Sequence, residues 1–415
     1  MMESGKTVDE TLGELEKAFA EREPQVRAFI PEANRFARLR VEAHELEERF
    51  PDPAARPPLY GIPIGIKDIF RVDGFETGGG SRLPPSVLAG SQAASVSRLQ
   101  EAGALILGKT VSTEFAYFAP GPTRNPHDLK RTPGGSSSGS AAGVAAGLCP
   151  LALGTQTIGS ICRPASYCGV VGFKPSYGAV STEGVIPLSQ SLDHVGWFTR
   201  NLALSLQVAE ISGLNVSPIE KEVAVVGVPE GPYLDRTGVG LDLFRAACKR
   251  LEASAAVDVR YVDAFPDFDE IARRHRLIVA AECAAVHEDW FLRFGELYDS
   301  RTAELILEGQ AVSAGQLEAA LAGREKLRTE LADLMHEHGL DAWLSPASQG
   351  PAPLGLDSTG DPIMNLPWTH AGVPAVSIPM LRSLEGLPMG LQISADFGND
   401  GHAFSVARIT QGALS

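Results

Sequence analysis

Apolar residues recur along the chain with two alternating periods. Leu12, Leu15 and Phe19 fall at helical spacing within 8–20, and 32–49 repeats the pattern, so two helices are expected, broken by Pro24 and Pro31. After a Pro/Ala-rich link at 51–58 comes an apolar run from Leu59 to Phe70, read as a strand that carries Lys67 near its end. A helix over 92–102, a buried strand at 104–107 and a short strand at Leu151-Ala152-Leu153 follow. Further on, helices are predicted at 201–213, 237–253 and 268–294. Another runs from Ser313, whose partner Gln316 completes a capping box, to about His338. Strands are predicted at 222–228, 257–262, 341–344, 374–379 and 388–394. This alternation predicts an α/β fold, a sheet covered by helices on both faces. No internal repeat or clear linker divides the chain. A single domain over 1–415 is expected, with 215–340 as the region most able to form a smaller lobe.

Composition narrows the function. The 415 residues are 44% hydrophobic and 21% charged, with a formal net charge of −15. That acidity argues against nucleic acid as a main partner, because phosphate binding needs clustered Lys and Arg. The acidic start lacks the apolar core of a signal peptide. No apolar run reaches the roughly 18 residues of a membrane span. Five cysteines without a C-x-x-C pair suit a reducing cytoplasm and neither a disulfide framework nor a zinc site.

One motif misleads. Gly103 to Thr110 reads G-x-x-x-x-G-K-T, the phosphate-loop pattern, yet its four intervening residues are the predicted strand itself. A phosphate loop needs them as loop, so that their N–H groups can cradle phosphates. Nucleotide binding is therefore not expected.

The strongest local signal is the stretch 132–178, which carries two Gly/Ser knots. The first is Gly134-Gly135-Ser136-Ser137-Ser138-Gly139-Ser140, and the second is Thr155-Gln156-Thr157-Ile158-Gly159-Ser160. Such density is entropically costly and is retained where backbone bends sharply or approaches a ligand closely. Neither knot fits the G-x-S-x-G nucleophile elbow. No histidine sits in a motif that demands it, so a base of another kind is worth considering. Lysine serves when burial or nearby positive charge keeps it neutral. Lys67 in its apolar strand is the natural candidate, although a lysine at a strand end also simply reaches out to solvent.

With these residues in view, the run from Gly134 to Gly178 resembles the signature of the amidase signature family. The resemblance extends to GIPIGIKDI upstream and to GVPAVSIP and GLPMGLQI downstream. It implies the family's large mixed twisted β-sheet and a Ser-cisSer-Lys triad, here Lys67, Ser136 and Ser160, with Ser136 in a cis peptide. It implies an acyl-enzyme on Ser160 and an oxyanion hole from the N–H groups of Thr157, Ile158, Gly159 and Ser160. Ser137 becomes a supporting hydroxyl that bonds Lys67 or Ser136. No cofactor or metal is implied, and a homodimer is suggested.

Two departures from the family pattern stand out. The usual Asp-x-Gly-Gly-Ser is here Gln156-Thr157-Ile158-Gly159-Ser160. Ile158 either distorts the oxyanion hole, if that position needs glycine geometry, or merely narrows the acyl pocket. The arginine after the nucleophile sits at +3, as Arg163. This register resembles the malonamidase-type branch and implies that Arg163, with Gln156, binds a substrate bearing a free carboxylate; pairing of Arg163 with Asp193 is the plainer reading. Trp368 and His370 are expected to line the acyl pocket or, for Trp368 above all, to pack in the core. The expected activity is a cytoplasmic serine amidohydrolase that cleaves a small carboxylic amide to acid and ammonia. The alternatives are an amidotransferase A-type subunit that frees ammonia from glutamine, and a homologue impaired by Ile158.

Overall fold

The computed structural model describes residues 7–414. Ten strands form one mixed sheet. They are β1 (Pro63–Lys67), β2 (Leu105–Thr110), β3 (Leu151–Gln156), β4 (Val171–Lys174), β5 (His194–Thr199), β6 (Ala224–Glu230), β7 (Val257–Asp263), β8 (Ala342–Pro346), β9 (Ala375–Arg382) and β10 (Pro388–Ser394). Their order across the sheet is β2-β1-β3-β5-β4-β9-β10-β8-β6-β7. β1 runs parallel to both β2 and β3, while β3, β5, β4, β9, β10 and β8 pair antiparallel in turn. β6 and β7, from the 215–340 region, extend the same sheet in parallel beyond β8.

Every residue of β1 to β5 is buried, so both faces of this half are covered. This explains why these strands read as continuous apolar runs rather than alternating ones. The strand expected over Leu59–Phe70 is confined to Pro63–Lys67, and its flanks are turns. β2 runs through Lys109 and Thr110, and Lys109 Nζ lies 3.0 Å from Asp68 Oδ1 in a buried ion pair. The lysine of the phosphate-loop look-alike is thus committed inside the protein.

Helix boundaries follow the predicted periodicity, with two corrections. The helix expected over 237–253 begins only at Leu241, after a 3-10 segment Leu234–Gly240, and ends at Glu252. The first helix spans Val8–Val26 and continues through Pro24. Proline in the last turn costs only the amide partner of the carbonyl four residues earlier, so it does not end the helix there. Phe268–Phe294 and Ala314–Glu337 form as expected, the latter with the Ser313/Gln316 capping box in place. Trp368 is fully buried against Tyr233, Phe265 and Trp343, and its Nε1 donates to Tyr233 Oη at 3.1 Å. It is a core residue. Among the described residues no helix is long and apolar enough to cross a membrane.

Candidate active site

The parallel pairing of β1 with β3 sets the C-terminal ends of these two strands side by side, with Ile66 opposite Leu153. Lys67 ends β1. Thr155 and Gln156 end β3, and the chain then turns through Thr157–Ser160 into the helix Cys162–Cys168. The first Gly/Ser knot runs into the helix Ser138–Ala145 and reaches the same point, with a cis peptide between Gly135 and Ser136. Ser136 is anchored by its carbonyl, which accepts from Thr113 N–H at 3.1 Å.

Lys67 Nζ is hydrogen-bonded to Ser136 Oγ at 2.7 Å and to Thr155 Oγ1 at 2.8 Å. Burial holds the Lys67 amine well below the usual lysine range, opposed by the negative charge of Asp193. A buried amine without a direct ion pair is a proton acceptor, and it touches a serine hydroxyl. Ser160 is 7% exposed, against 2% for Ser136 and 0% for Lys67. Of these three residues Ser160 is thus the most accessible.

The Thr157–Ser160 turn is built to leave its amides free. Among the described residues no main-chain carbonyl takes the N–H of Thr157, Ile158, Gly159 or Ser160. Gln156 Oε1 instead accepts the next two amides, Ile161 N–H at 2.8 Å and Cys162 N–H at 2.9 Å. Gln156 Nε2 donates to Thr369 Oγ1 (2.9 Å), which donates to Ile158 O (2.7 Å). Contact between Gln156 and substrate, expected from the sequence, is not what the structure places there. Gln156 is fully buried and spends both ends of its amide inside the protein, so it shapes the turn instead. Ile158 does not adopt a left-handed backbone conformation, so β-branching there brings no conflict with φ. Its side chain lines a cavity of about 160 Å³ beside the turn. The glycine demanded by close approach is Gly159, where a Cβ would stand 2.3 Å from Asn365 Oδ1.

Two further expectations are corrected by geometry. Ser137 bonds neither Lys67 nor Ser136. Its Oγ donates to Thr155 O (3.2 Å) and accepts from Thr155 N–H (3.3 Å), which ties the first knot to β3. Arg163 does not pair with Asp193. It is buried, its Nη2 donates to Gly135 O (2.7 Å) and Thr359 Oγ1 (3.2 Å), and its Nη1 donates to Gly360 O. Burial brings Arg163 down to about 10, which leaves it charged at neutral pH. Its Nε is buried with no partner among the described residues.

Asp193 serves the site differently from the sequence expectation. Its carboxylate accepts from Thr157 Oγ1 (2.5 Å) and from the Leu188 and Ser189 amides (2.8 and 3.1 Å). Burial raises Asp193 to about 6, against the pull of these bonds. Thr155 and Asp193 also line a separate cavity of about 360 Å³. Sequence reasoning missed Thr155, Thr369 and Asn365 as parts of the site. Thr155 lies inside the second knot, but its role depends on β1 and β3 being neighbours. No sequence signal singles out the other two.

Fold and cluster together define an amide-bond hydrolase of the α/β class. The chain belongs to the Amidase family, whose model matches residues 12–213 and 241–403. It is 34% identical over 417 residues to the A-type subunit of the Glutamyl-tRNA(Gln) amidotransferase of Koribacter versatilis (strain Ellin345), covering 86% of this chain and 85% of that protein. A solved amidase structure superposes with a TM-score of 0.88 at 34% identity, covering 99% of this chain and 97% of that one. The corresponding A-type amidotransferase subunit of Thermotoga maritima superposes with a TM-score of 0.77 at 28% identity, covering 98% and 94%.

Proposed function

We propose that the protein hydrolyses a small carboxylic amide to acid and ammonia through an acyl-enzyme on Ser160. The observation that carries this reading is the hydrogen bond between Ser136 Oγ and the wholly buried Lys67 amine. In the mechanism, Ser160 Oγ attacks the amide carbonyl carbon and passes its proton to Ser136, whose own proton goes to neutral Lys67. The C–N bond then breaks as Lys67 and Ser136 return a proton to the leaving nitrogen, and ammonia departs. Water, activated by the same relay, attacks the ester and frees the acid. The amides of Thr157, Ile158, Gly159 and Ser160 stabilise the oxyanion, and one such donor is worth about 3 kcal/mol of barrier.

The identity of the amide is the finer part of the proposal. A carboxylate-bearing, malonamate-like amide rests on Arg163, whose terminal nitrogens already donate to Gly135, Gly360 and Thr359. A second reading, release of ammonia from glutamine to a protein partner, is favoured by the A-type amidotransferase subunits among the relatives. The solved amidase superposes with the higher TM-score, 0.88 against 0.77, which supports the amide-hydrolysis part of the proposal. Five free, buried cysteines fit a cytoplasmic setting.

The test is a screen for ammonia release over glutamine, monoamides of small dicarboxylic acids, neutral aliphatic amides and aryl amides, with Ser160→Ala as control. Turnover of small amides above glutamine supports the free-standing enzyme, and the reverse supports the amidotransferase reading. No release from any amide, together with no labelling of Ser160 by a sulfonyl fluoride in folded protein, would leave only the impaired homologue.

A further inference from the structure

Two successive peptides of the Thr157–Ser160 turn are held from behind by their carbonyls. Gly159 O accepts from Arg163 N–H at 3.0 Å, a main-chain bond. Ile158 O accepts instead from a side chain, Thr369 Oγ1, at 2.7 Å. Both peptides are trans, and a planar trans peptide points its C=O and its N–H in opposite directions. Whatever holds the Ile158 carbonyl therefore also sets the direction of the Gly159 N–H, which no main-chain carbonyl takes. The Gly159–Ser160 peptide is oriented by the backbone, whereas the Ile158–Gly159 peptide depends on one hydroxyl.

The neighbours of that hydroxyl decide where its proton goes. Gln156 Oε1 accepts from the amides of Ile161 (2.8 Å) and Cys162 (2.9 Å), so Gln156 Nε2 faces Thr369 and donates to its Oγ1 at 2.9 Å. Thr369 Oγ1 is thereby an acceptor, with a single proton left to give. Two carbonyls compete for it, Ile158 O at 2.7 Å and Asn365 O at 3.1 Å. Asn365 O already accepts the Thr369 N–H at 3.2 Å, so the shorter contact, to the turn, takes the proton. The helix Leu366–Ala371 that carries Thr369 is itself pinned at its C-terminal end. Arg324 Nε donates to His370 O (3.0 Å), Arg328 Nε to Ala371 O (2.8 Å) and Lys174 Nζ to Val373 O (2.6 Å). Basic side chains are favourable donors to the carbonyls at that end of a helix. Thr369 is wholly buried, so it acts on the turn and not on a substrate.

We propose that Thr369 is a positioning residue for amide hydrolysis: its hydroxyl holds the Ile158 carbonyl and so aims the Gly159 N–H at the oxyanion that forms when Ser160 attacks. The proposal rests on the amidase reading above, in that the turn amides are taken as the oxyanion donors. A donor aimed in advance needs no rearrangement as charge develops, so loss of its anchor lowers turnover more than substrate binding.

The test compares wild type with three variants. Thr369→Val exchanges the hydroxyl for a methyl of similar size, Thr369→Ser keeps the hydroxyl, and Thr369→Cys leaves a weaker donor. Values of kcat and KM are measured on propionamide and benzamide. The rate of Ser160 labelling by phenylmethanesulfonyl fluoride is followed in parallel, and thermal melts confirm folding. Thr369→Val should lower kcat by roughly tenfold to a hundredfold with KM changed by less than about twofold. It should also slow labelling, since sulfonyl transfer places charge on an oxygen beside the same turn. Thr369→Ser should recover most of both rates. If Thr369→Val does not fold, a kcat for Thr369→Ser well above that for Thr369→Cys, at unchanged KM, is the expected result. Folded Thr369→Val with wild-type kcat and a lowered Tm would make Thr369 purely structural and overturn the proposal. So would a loss that Thr369→Ser does not restore. The two readings fail separately. A wild type that is labelled at Ser160 but releases ammonia from no amide of the screen sinks hydrolysis, while the labelling rates of the variants still decide the role of Thr369. A folded wild type that is neither labelled nor active overturns both.

Discussion

Lys67 Nζ and Ser136 Oγ, 69 residues apart in the chain, meet at 2.7 Å in a place that water does not reach on the lysine side. Because burial lowers the Lys67 pKa from the usual 10.5, the folded protein favours the neutral amine that a base requires. The proposed mechanism then makes kcat/KM rise with pH as Lys67 loses its proton. Stability carries the same signature. Between the lowered folded value and 10.5 the unfolded chain holds a proton that the native state does not. Stability therefore rises with pH across that window and is lost as pH falls toward the folded value. Lys67→Met should remove this component and lower turnover by about a thousandfold. Denaturant melts over a pH series, beside pH–rate profiles, read both. Near-wild-type turnover would remove Lys67 from the chemistry.

Asp193 joins the proposed base, Lys67, to the Thr157–Ser160 turn, since its charge raises the Lys67 pKa while it accepts from Thr157 Oγ1. Asp193→Asn removes the charge, so the Lys67 pKa should fall further and the acid limb of kcat/KM should move to lower pH. The Asp193 pKa is itself raised to about 6 from 3.8. Its contribution to stability is fully present below 3.8 and is lost as pH rises through about 6. The variant should lack that slope. It should also be less stable by about 1–3 kcal/mol, because an amide cannot accept from all three donors that the carboxylate now satisfies. An acid limb that moves upward, or not at all, would contradict the coupling.

Two neighbours in the turn should behave oppositely. A Cβ on Gly159 would meet Asn365 Oδ1 at 2.3 Å and Pro362 Cβ at 2.9 Å. Asn365 cannot yield freely, because its Nδ2 donates to Ala347 O (3.0 Å) and Gln392 Oε1 (2.8 Å). Gly159→Ala should therefore cost about 1–3 kcal/mol of stability. It should also reduce kcat by about a hundredfold or more as the turn amides shift. Ile158→Gly leaves an ordinary backbone conformation in place and enlarges the cavity. It should extend turnover to bulkier acyl groups with a small loss on the original ones. Thermal melts and an acyl-chain series separate the two.

The parts of this site that follow from local pattern are readable in the chain. The apolar run that carries Lys67 near its end, the two knots, and the helix Phe268–Phe294 need only periodicity and composition. What escapes are roles that depend on which distant segments meet. Thr155 matters because β3 lies beside β1, and Thr369 because it closes a chain of hydrogen bonds from Gln156 to Ile158 O. For Gln156 and Ser137, position in a motif does not say whether a side chain faces a cavity or the main chain. Pro24 reads as a break in sequence, whereas a proline's effect depends on how many turns remain after it.

Arg163 is where sequence position and packing disagree most, and one substitution decides between them. Its terminal nitrogens hold Gly135 O, whose residue precedes Ser136, and the Thr359–Gly360 segment that borders the turn. Arg163→Ala would leave the buried Gly135 carbonyl, the half-buried Gly360 carbonyl and the Thr359 hydroxyl short of donors, which should cost about 2–4 kcal/mol of stability. Because Gly135 is bonded directly to Ser136, kcat should fall for every amide, whatever charge its acyl group carries. A substrate-binding arginine predicts something else: a rise in KM confined to carboxylate-bearing amides, with neutral amides turned over normally. Measuring kcat and KM for malonamate beside propionamide, together with a thermal melt, distinguishes the two. Loss of kcat on both substrates with a lowered Tm is the result the geometry requires. A selective rise in KM for malonamate at unchanged Tm would return Arg163 to the substrate.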